Sequence, residues 1–169
     1  MEHNESAWYR GLRRSDRALD HAQTLELIDR NCYGVLSIAW PDGSPYAVPI
    51  NYGREGDTIY MHSATEGQKL DILRVNPKAV LSVVEPGEVT HGDLTCSASI
   101  NFVSALVFGR VLEVDDLAAK LHGLEVLCLA CQVPIPVLGT ANAAHFAARA
   151  NDTVVLALQV EHISGKERA

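Results

Sequence analysis

No apolar run in this chain approaches the length needed to cross a bilayer, which argues against a membrane-spanning helix. The opening residues, MEHNESAWYR, lack the apolar core of a signal peptide, and this predicts a cytoplasmic protein. Basic charge is scarce. Lys and Arg number 14 against 21 Asp and Glu, a formal net charge of −7 with no basic stripe, so nucleic acid is a poor partner. Cysteine is sparse as well: Cys32, Cys96, Cys128 and Cys131 need no disulfides in a reducing cytoplasm. Cys128 and Cys131 form a CxxC, but no second ligand pair stands close enough for zinc, and no thioredoxin-like βαβ setting surrounds it. Core or interface thiols on a helix face are the expectation. Internal repeats, low-complexity tracts and splitting linkers are lacking too, so residues 1–169 read as one domain, with 1–19 a polar, arginine-rich arm.

What is present centres on residues 59–77, IYMHSATEGQKLDILRVNP. A strand ends at His62, the chain turns through Ser63, and a helix is expected from about Thr65. Ser63 and Glu66 stand at capping-box spacing. Unpaired N–H groups at a helix start carry partial positive charge and suit an anion. Lys69 adds a full charge one turn in, and Gly67 leaves room for a phosphate to approach. The pattern therefore reads either as a phosphate cradle or as an ordinary strand-to-helix connection with a surface lysine.

Around it the chain is mostly strand. Residues 33–40 alternate into a strand, Asp42-Gly43 marks a hairpin turn, and residues 46–52 return. Pro49 cannot donate to a ladder, so it marks an edge, a bulge or a place where something else faces the backbone. Further strands are expected at 58–62, 79–84, 102–114 and 153–163. Gly109 suggests a bulge or bend. Helices are expected at 22–30, from Asp115-Asp116 to about Cys131, and at 143–150; residues 85–97 read as a polar loop and 132–141 as an apolar, proline-containing one. Six strands joined mostly by tight turns predict a mainly β fold, an antiparallel sheet closed into a small barrel with flanking helices.

In this order the pieces resemble the pyridoxamine 5′-phosphate oxidase-like FMN-binding split-barrel family, and within it the nitroimidazole-resistance-related group. The resemblance rests on RRSDRAL, CYGVLSIAWPDGSPYAVPINY, IYMHSATEGQKLDILRVNPKAVLSVV, SALVFGRVLEV and ISGKER. It implies a six-stranded antiparallel split β-barrel, a homodimer, and one FMN per subunit in clefts between the two chains. By the same resemblance Val48, Pro49, Ile50 and Asn51 lie along the flavin ring, partly through backbone atoms. His62 and Ser63 flank the cofactor, Gln68 and Lys69 hold its phosphate, and Ser104 matches a serine before the VxFG strand. His62 is then the candidate proton donor or substrate contact, with the alternative that it only hydrogen-bonds the phosphate or a carbonyl.

The resemblance departs in two places. Phe102-Val103-Ser104 stands where the family commonly has an aromatic-Arg-Ser triplet, which removes a cation. Residues 128–146 are more apolar than the pattern, and line the substrate side, cover a partner chain or simply pack. The implied activity is an FMN-dependent oxidoreductase acting on a small molecule, with NAD(P)H as electron source and a nitroaromatic as one acceptor. Two other readings stand beside it: a non-catalytic flavin-binding or sensing protein, and a haem-handling split barrel. For the latter, His91, His122, His145 and His162 show no ligand spacing.

Overall fold

The structure is a computed structural model that describes residues 8–91, 98–135 and 141–168. A single 3-10 turn at Ser15–Arg17 leads into α1 (His21–Asp29). Asp20 caps that helix reciprocally: its carboxylate accepts from the Gln23 N–H at 2.8 Å, and its own N–H donates to the Gln23 side chain at 2.9 Å. β1 (Tyr33–Ala39) and β2 (Pro45–Asn51) form the expected hairpin. Its turn holds Gly43 at φ 90°, and the Asp42 carboxylate accepts from the Ser44 N–H at 2.9 Å. The chain continues through β3 (Gly53–Glu55), β4 (Thr58–Ser63), α2 (Gln68–Val75), β5 (Lys78–Thr90), β6 (Ser99–Val114), α3 (Leu117–Ala130), α4 (Ala141–Asn151) and β7 (Val154–Arg168).

The sheet order is β2-β1-β5-β6-β7-β4-β3, and every pairing is antiparallel. β2 and β3 are its two edges, yet only Tyr52 separates them in the chain. A flat sheet would hold those edges roughly 29 Å apart at ~4.8 Å per strand, and one residue reaches only ~4 Å per step. The sheet must therefore curl on itself. Tyr52 pins the seam, its N–H donating to the Cys32 carbonyl at 2.9 Å and its hydroxyl to the Ile28 carbonyl at 2.7 Å. The result is the antiparallel split barrel that the sequence implied.

The described strands number seven, not six. β3 was missed because three residues show no alternation. Residues 85–90, expected as loop, extend β5, and residues 164–168 extend β7; both are drawn out by pairing with β6. Residues 92–97 of the expected loop and 136–140 of the apolar one lie outside the described residues. Gly109 does mark a bulge: the β6–β7 register shifts between Phe108 and Gly109, where a Cβ would overlap the Gln159 carbonyl oxygen. Inside the barrel Leu36, Ile59, Met61, Leu81, Val107 and Leu158 are buried, and α1 seals one end with Leu27 and Ile28. The arm lies on the barrel from Trp8 onward, with Trp8 against Phe108 at 5.5 Å and Tyr9 stacked on His162 at 4.1 Å.

Candidate functional site

Along β4, Ile59 and Met61 turn inward and His62 turns out. α2 begins later than expected. Gly67, at φ 126°, is its N-cap, with no side-chain cap. The Ser63–Glu66 capping box does not form, because Ser63 is still in the strand and the helix starts only after the left-handed step at Gly67. Leu70 and Asp71 both donate to the Gly67 carbonyl, at 2.9 and 3.2 Å. Among the described residues, the N–H groups of Gln68 and Lys69 meet no backbone acceptor. Lys69 is half-buried, and desolvation lowers its pKa. His62 stays open to solvent on one side, yet the atoms packed beside it lower its pKa, and the Lys69 ammonium lowers it further. Two basic groups within electrostatic reach, with no carboxylate paired to either among the described residues, make this corner locally positive in an acidic protein.

His62 also lines a groove of about 390 Å³ together with Asn51. α3 supplies Leu124, Leu127 and Cys128, α4 supplies Phe146 and Arg149, and Cys131, Val133 and Thr153 complete it. The Asn51 amide reaches the Cys32 carbonyl at 3.5 Å and the Cys131 sulfur at 3.9 Å. Burial raises both thiols of the CxxC; Cys131, which also hydrogen-bonds Cys32, is pushed up to about 11. Both therefore stay protonated near neutral pH and serve as apolar lining rather than as nucleophiles. The sequence offered residues 128–146 as one of three things, a lining of the substrate side, a cover for a partner chain or plain packing, and named neither the α3 leucines nor Arg149. The groove's one sequence signal was the unusually apolar character of residues 128–146, with Arg149 just beyond.

The remaining expected site residues divide by face. Val48 and Ile50 point into the core, so only their backbone is available to a ligand; Pro49 and Asn51 point out from the edge strand. Ser104 is not in the groove. It pairs with Val84 and Lys166, and its hydroxyl reaches the Lys166 carbonyl at 3.4 Å. Tyr33 and Val84 lie between Asn51 and Ser104 on the outer sheet face, a separation of roughly 14 Å at strand spacing. One chain thus brings Asn51 and His62 to one groove and Lys69 within electrostatic reach of His62, with Ser63 and Gln68 beside them in the chain, and leaves Ser104 out on the open face.

A second cavity, of about 440 Å³, lies between α1 and β7 and includes His21, Arg54, Asp57, Glu161 and His162. Its charges are largely engaged: Arg54 pairs with Asp29 at 2.5 Å and Arg110 with Glu161 at 3.0 Å. Among the described residues no cluster of His, Cys, Asp and Glu is arranged to hold a metal ion. His122 pairs with Glu55 at 2.6 Å and His162 stacks on Tyr9, so neither stands free as an axial ligand; the side chain of His145 lies outside the described residues. No helix among the described residues is long and apolar enough to cross a membrane.

Comparison with known proteins agrees with this architecture. An uncharacterized protein of Rhizobium meliloti (strain 1021) is 46% identical over 44 residues, a match spanning 26% of this chain and 28% of that protein. Among solved structures, a protein described as a candidate 5-nitroimidazole antibiotic resistance protein from Bacteroides thetaiotaomicron superposes with a TM-score of 0.74 at 24% identity, covering 89% of this chain and 86% of that one. The flavocytochrome Anf3 of Azotobacter vinelandii gives 0.76 at 21% identity, over 94% and 72% of the two chains. A FAD-binding protein of Mesorhizobium loti gives 0.66 at 24%, over 90% and 98%. At these identities the structures speak for the shared fold. Residues 20–167 match the pyridoxamine 5′-phosphate oxidase family, and the chain belongs to it.

Proposed function

We propose that this protein binds FMN and is an oxidoreductase acting on a small molecule, with NAD(P)H as its electron source. The observation that carries the reading is the basic corner where β4 hands over to α2. Lys69 is half-buried there without a carboxylate partner among the described residues, His62 feels its charge, and two backbone N–H groups at the helix start lack backbone acceptors. A phosphate monoester supplies the charge and the acceptors that this corner wants. The residues present therefore fit a flavin mononucleotide: Gln68 and Lys69 would hold the phosphate, and Pro49, Asn51 and the backbone of Val48 and Ile50 would support the ring. The bound flavin would supply the redox chemistry. The chain would orient it, keep bulk water from the groove with Leu124, Leu127 and Phe146, and place His62 beside the substrate. Packing and the Lys69 charge lower the pKa of His62 in the free protein, which favours a hydrogen-bonding contact over a standing acid there, and a phosphate bound beside it would push back toward the charged form.

The reading extends to a homodimer with the cofactor between the copies. The outer face of β1, β5 and β6 leaves Tyr33, Val35, Val84 and Leu106 exposed, and Ser104 lies among them rather than near His62. A second copy seated on that face would bring its own serine into play. The experiment is a cofactor titration of the purified protein, followed by steady-state oxidation of NAD(P)H with a nitroimidazole as acceptor. FMN binding with flavin-dependent turnover supports the reading. FMN binding without turnover under any acceptor reduces it to a flavin carrier, and refusal of FMN overturns it.

A further inference from the structure

We infer that the groove between the α3–α4 pair and the barrel is the substrate site and that it selects a flat aromatic acid, clamped by Arg149. The inference deepens the reading above, resting on it only in placing a flavin beside His62. Three observations carry it. Much of the lining is apolar and comes from helices outside the barrel, with Leu124 and Leu127 from α3 and Phe146 from α4. Its volume, about 390 Å³, suits a one- or two-ring molecule rather than a nucleotide or a peptide. The groove also inverts the charge of the protein. The chain carries a net −7, yet among the described residues no Asp or Glu lines this surface, and the ionisable groups in its lining are His62, Arg149 and two thiols held protonated by burial. Glu125 on α3 acts on Cys128 from outside the lining.

Arg149 sits one turn beyond Phe146 on α4, so the two share a helix face. Its guanidinium has no carboxylate partner among the described residues. A planar fork one helical turn from an aromatic ring, in the lining of a largely apolar groove, is the donor set for a carboxylate attached to an aromatic body. Asn51 and His62, also in the lining, offer hydrogen bonds to a neutral polar substituent. The neutral amide of the same aromatic body fills the same volume but gives up the charge-assisted pair.

The test uses 2-naphthoate and 2-naphthamide as probes, titrated calorimetrically into the FMN-saturated and the FMN-free protein. The acid is expected to bind roughly tenfold or more tightly than the amide, the span of one charge-assisted pair. Arg149→Gln should erase that preference while leaving amide binding and FMN affinity unchanged. Val133→Glu, an acid introduced at an exposed position of the lining, should weaken the acid selectively, with no part of the barrel disturbed. Equal binding of the two probes, or a preference that survives both variants, overturns the inference while the FMN titration stands. Displacement of the acid by FMN, one for one, also overturns it, because the groove is then part of the flavin's own site. A preserved acid preference in a protein that refuses FMN sinks the flavin reading and keeps the acid site.

Discussion

Lys69 and His62 are coupled, and the coupling has a sign. Both are bases whose pKa falls on folding, by desolvation for Lys69 and by desolvation plus the Lys69 charge for His62. The unfolded chain therefore binds a proton at His62 more readily than the folded chain does. Its contribution to stability is complete above the ordinary histidine value of about 6.5 and declines as pH falls through the lower folded value. The apo protein should lose thermal stability as pH falls below about 6.5, and His62→Gln should flatten part of that loss; identical melting profiles for the two would remove His62 from the account. A bound phosphate reverses the balance, because an anion favours the charged form of both bases. FMN should therefore bind wild type better than His62→Gln by a ratio that grows as pH falls from about 8 to about 6, a comparison in which the flavin's own phosphate titration cancels. Lys69→Ala should weaken FMN retention by about tenfold or more, one charge-assisted contact, with the circular dichroism spectrum unchanged; undiminished affinity would remove Lys69 from the phosphate site.

Elements, more than residues, decide where this corner stands. Asp20 closes the capping box of α1, and α1 seals the barrel end, so Asp20→Ala should cost about 1 kcal/mol in a urea titration. Gly109→Val should cost more, of order 3 kcal/mol, because a Cβ there meets the Gln159 carbonyl at the bulge and not a side chain that can move aside; an unchanged urea midpoint would contradict that geometry. The bulge was legible in the chain as a lone glycine within an apolar strand, and so were the hairpin over Asp42-Gly43 and the apolar face of α2, because each is set by a local pattern. β3 was not legible. Three residues become a strand only because Tyr52 carries the chain from one sheet edge to the other. The strand character of residues 85–90 was hidden for a related reason: Pro86 and Gly87 are poor strand formers, yet Pro86 pairs with Phe102 and Val89 with Ile100. The start of α2 was misplaced because spacing shows Ser63 and Glu66 but not the φ of Gly67. Asn51, His62, the α3 residues and Arg149 come from four separate elements, so no sequence window contains the groove, whereas Gln68 and Lys69, adjacent in the chain, were readable.

At the scale of the whole molecule, the open question is what covers the outer face of β2, β1, β5 and β6. One row across it runs Pro49, Val35, Ser82, Leu106, and the next passes Asn51, Tyr33, Val84 and Ser104. Tyr33 and Val84 are more than half exposed, at 58% and 55%, and neither row carries an acid or a base at these positions. Two copies that each bear a net −7 repel, so a stable pair must meet where charge is absent, and this neutral, apolar face meets that condition. A dimer built there should tighten as salt rises, since screening weakens the repulsion between the two bodies and leaves apolar burial intact. Val35→Glu combined with Leu106→Glu should give a folded monomer by light scattering. If the cofactor lies between copies, that monomer should also lose FMN. Leu129→Glu, equally drastic but on exposed α3, should leave both assembly and FMN binding alone. A double variant that stays dimeric and yellow would show that the copies meet elsewhere. A monomer that still holds FMN would show that one chain suffices for the site, and Ser104 would then have no part in it.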